Sequence, residues 1–129
     1  ALIKSATEEF LRYDSPAQLS RRWVLEPFEY KGHQFEKGQQ VAMAFGAANR
    51  DPERFDNADS LDILRENNKH MAFGNGIHFC LGAPLARMEG QIAFDRLFDR
   101  YPNLTRAGEA VRRPAYVLRG FKSLPVKLG

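Results

Sequence analysis

The chain has 129 residues and carries 19 Lys and Arg against 16 Asp and Glu, a formal net charge of +3. That length fits one compact domain; no apolar run reaches the roughly 18 residues of a membrane helix and no leader precedes a cleavage site, so a soluble, cytoplasmic protein is expected. One cysteine, Cys80, excludes an internal disulfide, and the scattered basic residues argue for an acidic protein partner over nucleic acid.

In chain order, Ile3 to Tyr13 (IKSATEEFLRY) reads as a helix with Ile3, Phe10 and Leu11 on one side, ended by Pro16, which disfavours helical geometry just before it. From Gln18 to Gln40 the pattern is strand-like, with a turn at Gly32, and one hairpin is the simplest picture. A strand beginning at Val41 passes into a short helix or turn before Asp51 and Pro52. Glu53 to His70 is polar and irregular, a long meander of the kind found in functional loops. Pro84 suits a first helical turn, and Phe94, Leu97, Phe98 and Tyr101 recur at helical spacing until Pro102 stops the helix. The remainder, AYVLRG and LPVKLG, reads as short strands around a turn at Gly120.

Between meander and long helix lies MAFGNGIHFCLG, Met71 to Gly82. A thiolate is a nucleophile and a soft metal ligand, and both roles need it deprotonated below its free pKa of about 8.5. The helix starting near Pro84 favours negative sulfur through its dipole and free N–H groups, while Gly74, Gly76 and Gly82 let a flat, bulky group approach the backbone. A zinc site would have to recruit His70 or His33 beside His78 and Cys80. A cysteine hydrolase would need His78 as its base, two positions away in a loop. A buried, inert cysteine is the third reading.

FGNGIHFCLG resembles the haem-binding loop of the cytochrome P450 family, the haem-thiolate monooxygenases, in its bacterial form, with Phe73, Gly76, His78, Cys80 and Gly82 matching. Glu9 and Arg12 match the family's Glu-x-x-Arg helix, NRDPERFDNADSLDILR resembles its meander, and the segment from Cys80 to Leu104 resembles the long helix after the ligand. Ala58 and Leu61 stand where proline and phenylalanine are more usual.

The resemblance implies an α+β fold, mainly helical with small β-sheets, and haem b (iron protoporphyrin IX) ligated by Cys80, whose thiolate favours O–O cleavage. It implies Phe73 as the aromatic that packs on the ligand loop, His78 and Arg22 as partners of the haem propionates with Arg21 a close competitor, and Gly74, Gly76 and Gly82 as the loop's glycines. It also implies a structural ion-pair network of Glu9, Arg12 and Arg65, with Arg54 in PERF as a decoy. Residues 1–129 would then form a single partial domain, the C-terminal haem-binding portion of a longer enzyme whose distal helix lies outside it. The activity implied is insertion of one oxygen atom from O2 into a small organic substrate, with electrons from a ferredoxin-type partner and no nucleic-acid or membrane partner. Ala17 to Ser20 and the turn near Leu118 and Arg119 would be what remains of the substrate wall. The alternative is an inactive, haem-free or weakly haem-binding fragment that self-associates as a homodimer.

Overall fold

In the computed structural model of the chain, which describes residues 2–129, helix α1 runs over Ile3–Tyr13. Its last turn closes where the Asp14 N–H donates to the Phe10 carbonyl at 3.2 Å, two residues before Pro16. The face α1 buries is unusual: Ala6, Thr7, Glu9 and Arg12 are buried, whereas Ile3, Phe10 and Leu11 are only half-buried. The largest fully buried side chains of the described residues are Arg12, Glu9, Asn49 and Ser15. Polar groups occupy that position only when their hydrogen bonds are met.

Strand β1 (Ser20–Trp23) pairs antiparallel with β4 (Gln40–Met43), from Ser20↔Met43 to Trp23↔Gln40. Nested between them, β2 (Phe28–Tyr30) and β3 (His33–Phe35) make a tight hairpin whose Phe28 and Phe35 rings stack at 4.8 Å. The single hairpin expected over 18–40 is thus two ladders. Pro27, which has no N–H to donate, sits between β1 and β2 and divides them.

Helix α2 is one turn, Phe45–Ala48, and from there to the 3-10 turn at Gly76–His78 the described chain has neither helix nor strand. Helix α3 spans Ala83–Arg100 with Pro84 in its first turn. It crosses α1 closely: Phe10 meets Phe94 edge-on with centroids 4.9 Å apart, and a Cβ on Gly90 would lie 3.1 Å from Thr7 Cγ2.

The C-terminal part departs from the expected strands. β5 (Thr105–Arg106) pairs with β8 (Val126–Lys127), and β6 (Val111–Arg112) with β7 (Phe121–Ser123). AYVLRG is not a strand but the loop between β6 and β7, and Gly120 lies at its base, its carbonyl accepting the Arg113 N–H at 3.0 Å. That loop bends back to the start of the chain, where Gln18 N–H donates to Val117 O at 2.9 Å and Ala17 bridges Leu118. Its apolar residues satisfy the segment after α1 instead of a partner strand of their own. The fold is therefore α+β, mainly helical with small antiparallel sheets, and among the described residues no helix is long and apolar enough to cross a membrane.

Candidate functional site

Met71–Gly82 is shaped by backbone hydrogen bonds. Cys80 N–H donates to Phe73 O at 2.9 Å, Gly74 N–H to Met71 O at 2.9 Å, and Phe79 N–H to Gly76 O at 3.0 Å. Gly74 and Gly76 adopt φ of +69° and +65°, the left-handed region in which a side chain is strained, so these two positions call for glycine. Gly82 differs: its φ is −80°, open to any residue, but a Cβ there would come to 3.8 Å from the Cys80 sulfur. Cys80 is free and exposed, which removes the reading of a buried, inert cysteine. Its carbonyl accepts the N–H of Ala83, the first residue of α3, at 3.1 Å.

The sulfur opens onto a cleft of about 540 Å³ whose lining includes Phe73, Gly74, His78 and Cys80 from the loop and Arg22 from β1. Strand alternation puts the neighbouring arginines on different faces. Ser20 and Arg22 point to the cleft and Arg21 to the opposite, exposed face. Arg22 is steadied there by donating one terminal nitrogen to Ser20 Oγ at 2.9 Å and to the Arg21 carbonyl at 2.8 Å. The rest of the lining is largely apolar, with Leu11, Ala17, Leu19, Met43 and Leu118 among it; Gly76, Gly82 and Arg119 are not part of it.

The donor set bears on what the cleft can hold. Among the described residues no three His, Cys, Asp or Glu side chains gather around one point, so the zinc reading fails: neither His70 nor His33 joins His78 and Cys80. A lone sulfur in an apolar cleft suits a metal that brings its other ligands with it in a flat macrocycle. Arg22 and His78 on the same cleft suit acidic groups at the edge of such a macrocycle. The residues present therefore fit a haem.

Behind the cleft, α1 joins the meander through one carboxylate. Arg12 Nε and a terminal nitrogen donate to the two oxygens of Glu9, both at 2.8 Å. The remaining guanidinium N–H groups reach the carbonyls of Asn49 at 2.8 Å, Ala58 at 2.7 Å and Ser60 at 2.9 Å. Arg65 donates from Nε to Glu9 at 3.2 Å and from a terminal nitrogen to the Asp56 carbonyl at 2.7 Å, while Asn68 and the Asp62 N–H complete the carboxylate's shell. Arg54 is exposed, and Phe55 beside it is buried with the Arg12 guanidinium 5.3 Å from its ring. Burial pushes the Glu9 carboxyl up; hydrogen bonds from Arg12, the Asp62 N–H and Arg65, with the Arg12 charge, outweigh it and hold Glu9 below the usual carboxylate range.

Three residues the sequence reading passed over, Glu8, Arg87 and Asn49, and His70, weighed there only as a zinc ligand, are wired into the same region. Glu8, one position before Glu9, accepts from Arg87 of α3 at 2.7 and 3.0 Å and bonds His70 Nε2 at 3.0 Å. The Arg87 guanidinium lies 4.7 Å from the centroid of Phe73. Asn49, fully buried, offers its carbonyl to Arg12 and its side-chain oxygen to the Met71 N–H at 2.6 Å. The doublet Glu8-Glu9 was the available signal: adjacent helical carboxylates face directions about 100° apart and cannot serve one partner.

The profile of the family described as Cytochrome P450 matches residues 1–116. The chain is 48% identical over 131 residues to the polyketide biosynthesis cytochrome P450 PksS of Bacillus subtilis strain 168, covering 98% of this chain and 32% of that protein. The solved PksS structure superposes with a TM-score of 0.94 over 98% of this chain and 34% of its own. P450BioI, solved in complex with an acyl carrier protein ligated to hexadec-9Z-enoic acid, is 45% identical with a TM-score of 0.96, covering 99% of this chain and 34% of that one. CYP109E1 from Bacillus megaterium in complex with testosterone is 41% identical with a TM-score of 0.95, covering 98% and 36%. The chain spans about a third of the length of the curated relatives it matches.

Proposed function

Because the chain belongs to the cytochrome P450 family, we propose that it is the haem-binding portion of a haem-thiolate monooxygenase whose resident group is haem b. When bound, that group supplies the iron centre at which O2 is activated and one oxygen atom enters an organic substrate. Cys80 is the single sulfur ligand. Arg22, with two parallel donors in a rigid fork, holds a propionate, and His78 holds the other. Phe73 packs against the ligand loop, Gly74 keeps a side chain out of the macrocycle's way, Gly76 permits the loop's left-handed turn, and Gly82 leaves the space beside the sulfur free. Glu9, Arg12 and Arg65 hold the meander that backs the loop.

The observation that carries this reading is the exposed lone sulfur of Cys80 on a cleft of about 540 Å³ that also has Arg22 and His78 in its lining. The apolar wall of Ala17, Leu19 and Leu118 supports a substrate of apolar character and keeps water from the substrate side. The fatty-acyl chain in the P450BioI complex and the testosterone in the CYP109E1 complex are of that class. Electrons come from a ferredoxin-type partner that docks on the cysteine side, and the chain's overall net charge of +3 favours an acidic protein. Residues 1–129 taken alone are inactive and self-associate, because Ile92 and Phe98 of α3 and Leu2 before α1 are each half-exposed or more.

A hemin titration followed by absorbance, with light scattering on the same samples, tests both statements. The full-length protein should saturate at one haem per chain, and failure to take up hemin would overturn the haem reading. The isolated 129 residues should bind hemin weakly at a mass above the monomer, and a monomer with oxygenase turnover would overturn the second statement.

A further inference from the structure

A histidine with a buried side chain, on the segment leading into the cysteine loop, is held from both sides. The His70 side chain is 1% exposed, its Nε2 lies 3.0 Å from Glu8 Oε2, and its Nδ1 accepts the Ala72 N–H at 3.2 Å. A ring nitrogen that accepts an N–H carries no proton, so the proton sits on Nε2 and is donated to Glu8. Glu8 is itself fixed by two hydrogen bonds from Arg87, whose guanidinium covers the Phe73 ring. One carboxylate therefore ties α1, α3 and the segment Met71–Phe73 together, and that segment supplies the carbonyl, Phe73 O, that accepts the Cys80 N–H at 2.9 Å.

We propose that His70, oriented by Glu8, is a positioning residue for the cysteine loop: its neutral Nδ1 anchors Ala72 and, through the Phe73 carbonyl, sets the backbone of Cys80. The proposal deepens the haem-thiolate reading and rests on it. Protonation of Nδ1 would set two donors face to face, and Ala72, which is buried, would lose the acceptor of its N–H. The segment would then be free to drift and the Cys80 N–H bond to Phe73 would weaken with it. The charged groups around the ring are Glu8 and Glu9 from α1 and Arg87 from α3. Burial disfavours the imidazolium, the Glu8 hydrogen bond and charge oppose that, and the Arg87 charge acts with burial, so the ring is held below its ordinary pKa. At neutral pH the anchor is intact.

The test is amide exchange of Ala72 and Cys80, corrected for its intrinsic pH dependence, on the haem-loaded full-length protein, with the ferrous carbon monoxide spectrum recorded on the same samples. In the unaltered protein, protection of both amides and the thiolate-type spectrum should fall together as pH drops below the His range, about 6.5. His70→Leu removes the acceptor, and protection should be about ten-fold lower already at neutral pH, within the range for a buried N–H left unpaired. His70→Asn can accept the Ala72 N–H from two residues back and cannot titrate, so it should keep protection and flatten the profile. Unchanged protection in His70→Leu, or an unaltered pH profile in His70→Asn, overturns the proposal. Should His70→Leu not fold, the His70→Asn profile decides. Lack of a thiolate-type spectrum in the unaltered protein would sink the haem-thiolate reading, and the exchange data would still judge His70.

Discussion

Arg12 spends every N–H of its guanidinium, on Glu9 and on the carbonyls of Asn49, Ala58 and Ser60. Removing Glu9 leaves that cation buried and uncompensated, a loss of about 3 to 5 kcal/mol, which is a large share of a typical domain stability of about 5 to 15 kcal/mol. Glu9→Ala should therefore abolish folding or haem retention in the full-length protein, as read by urea unfolding; a soluble variant with unchanged midpoint would show the pair to be superficial. A second prediction follows from strand alternation. Arg22 shares the cleft face of β1 and Arg21 does not, so Arg22→Ala should weaken haem retention more than Arg21→Ala, measured by haem transfer to an acceptor protein. Equal losses would detach Arg22 from the propionates. Glu9, Arg12 and Cys80 could be read from the sequence because a short motif marks each, and Arg65 from its register in the segment that resembles the family's meander. Glu8, His70, Arg87 and Asn49 could not: His70 and Arg87 lie 62 and 79 positions from Glu8, and no local pattern reports a contact across that distance.

Among elements, the meander shows how a chain without helix or strand is held. Arg12 and Arg65 supply donors to five of its carbonyls or flanking ones, doing for 49–60 what a neighbouring strand does elsewhere. The irregularity of that stretch was legible in its polar, Asp-rich composition, but its support was not, because the donors lie on α1 and near the meander's end. Helix α1 shows the opposite failure. Its limits, Ile3 and Tyr13, follow from periodicity and Pro16, yet its apolar side is half-buried and its polar side is the core, since paired charges lose their cost of burial. The α1–α3 crossing depends on Gly90, where even a Cβ would sit 3.1 Å from Thr7 Cγ2. A larger side chain must push the helices apart, so Gly90→Leu should destabilise by about 1 to 3 kcal/mol in urea unfolding. Unchanged stability would mean that the helices can separate freely.

For the whole molecule, pH is the variable that addresses several of these contacts together. Glu8 and Glu9 both have folded pKa values below the ordinary carboxylate. For Glu8, burial raises it and the hydrogen bond and charge of Arg87, then those of His70, more than offset that. A carboxyl with a depressed folded pKa binds its proton more readily when unfolded, so the stability it contributes is complete above about pH 4.3 and is lost as pH falls through its folded value. His70 is also lowered, chiefly by burial, and a neutral buried histidine contributes stability that is complete above about pH 6.5 and declines below it. Stability measured against pH should thus fall in two stages, and His70→Asn should remove the upper one only. A single acid transition unaffected by that variant would contradict the assignment.

Those contacts matter to function only if the loop they support delivers sulfur to iron. The most direct test is the difference spectrum of the reduced carbon monoxide complex for the haem-loaded full-length protein and its Cys80→Ser variant. Thiolate ligation by Cys80 predicts the thiolate-type absorption band in the first and its complete loss in the second, with helical content by circular dichroism little changed. The same band in both proteins would contradict the account, because the ligand would then have to come from some residue other than the one cysteine of this chain.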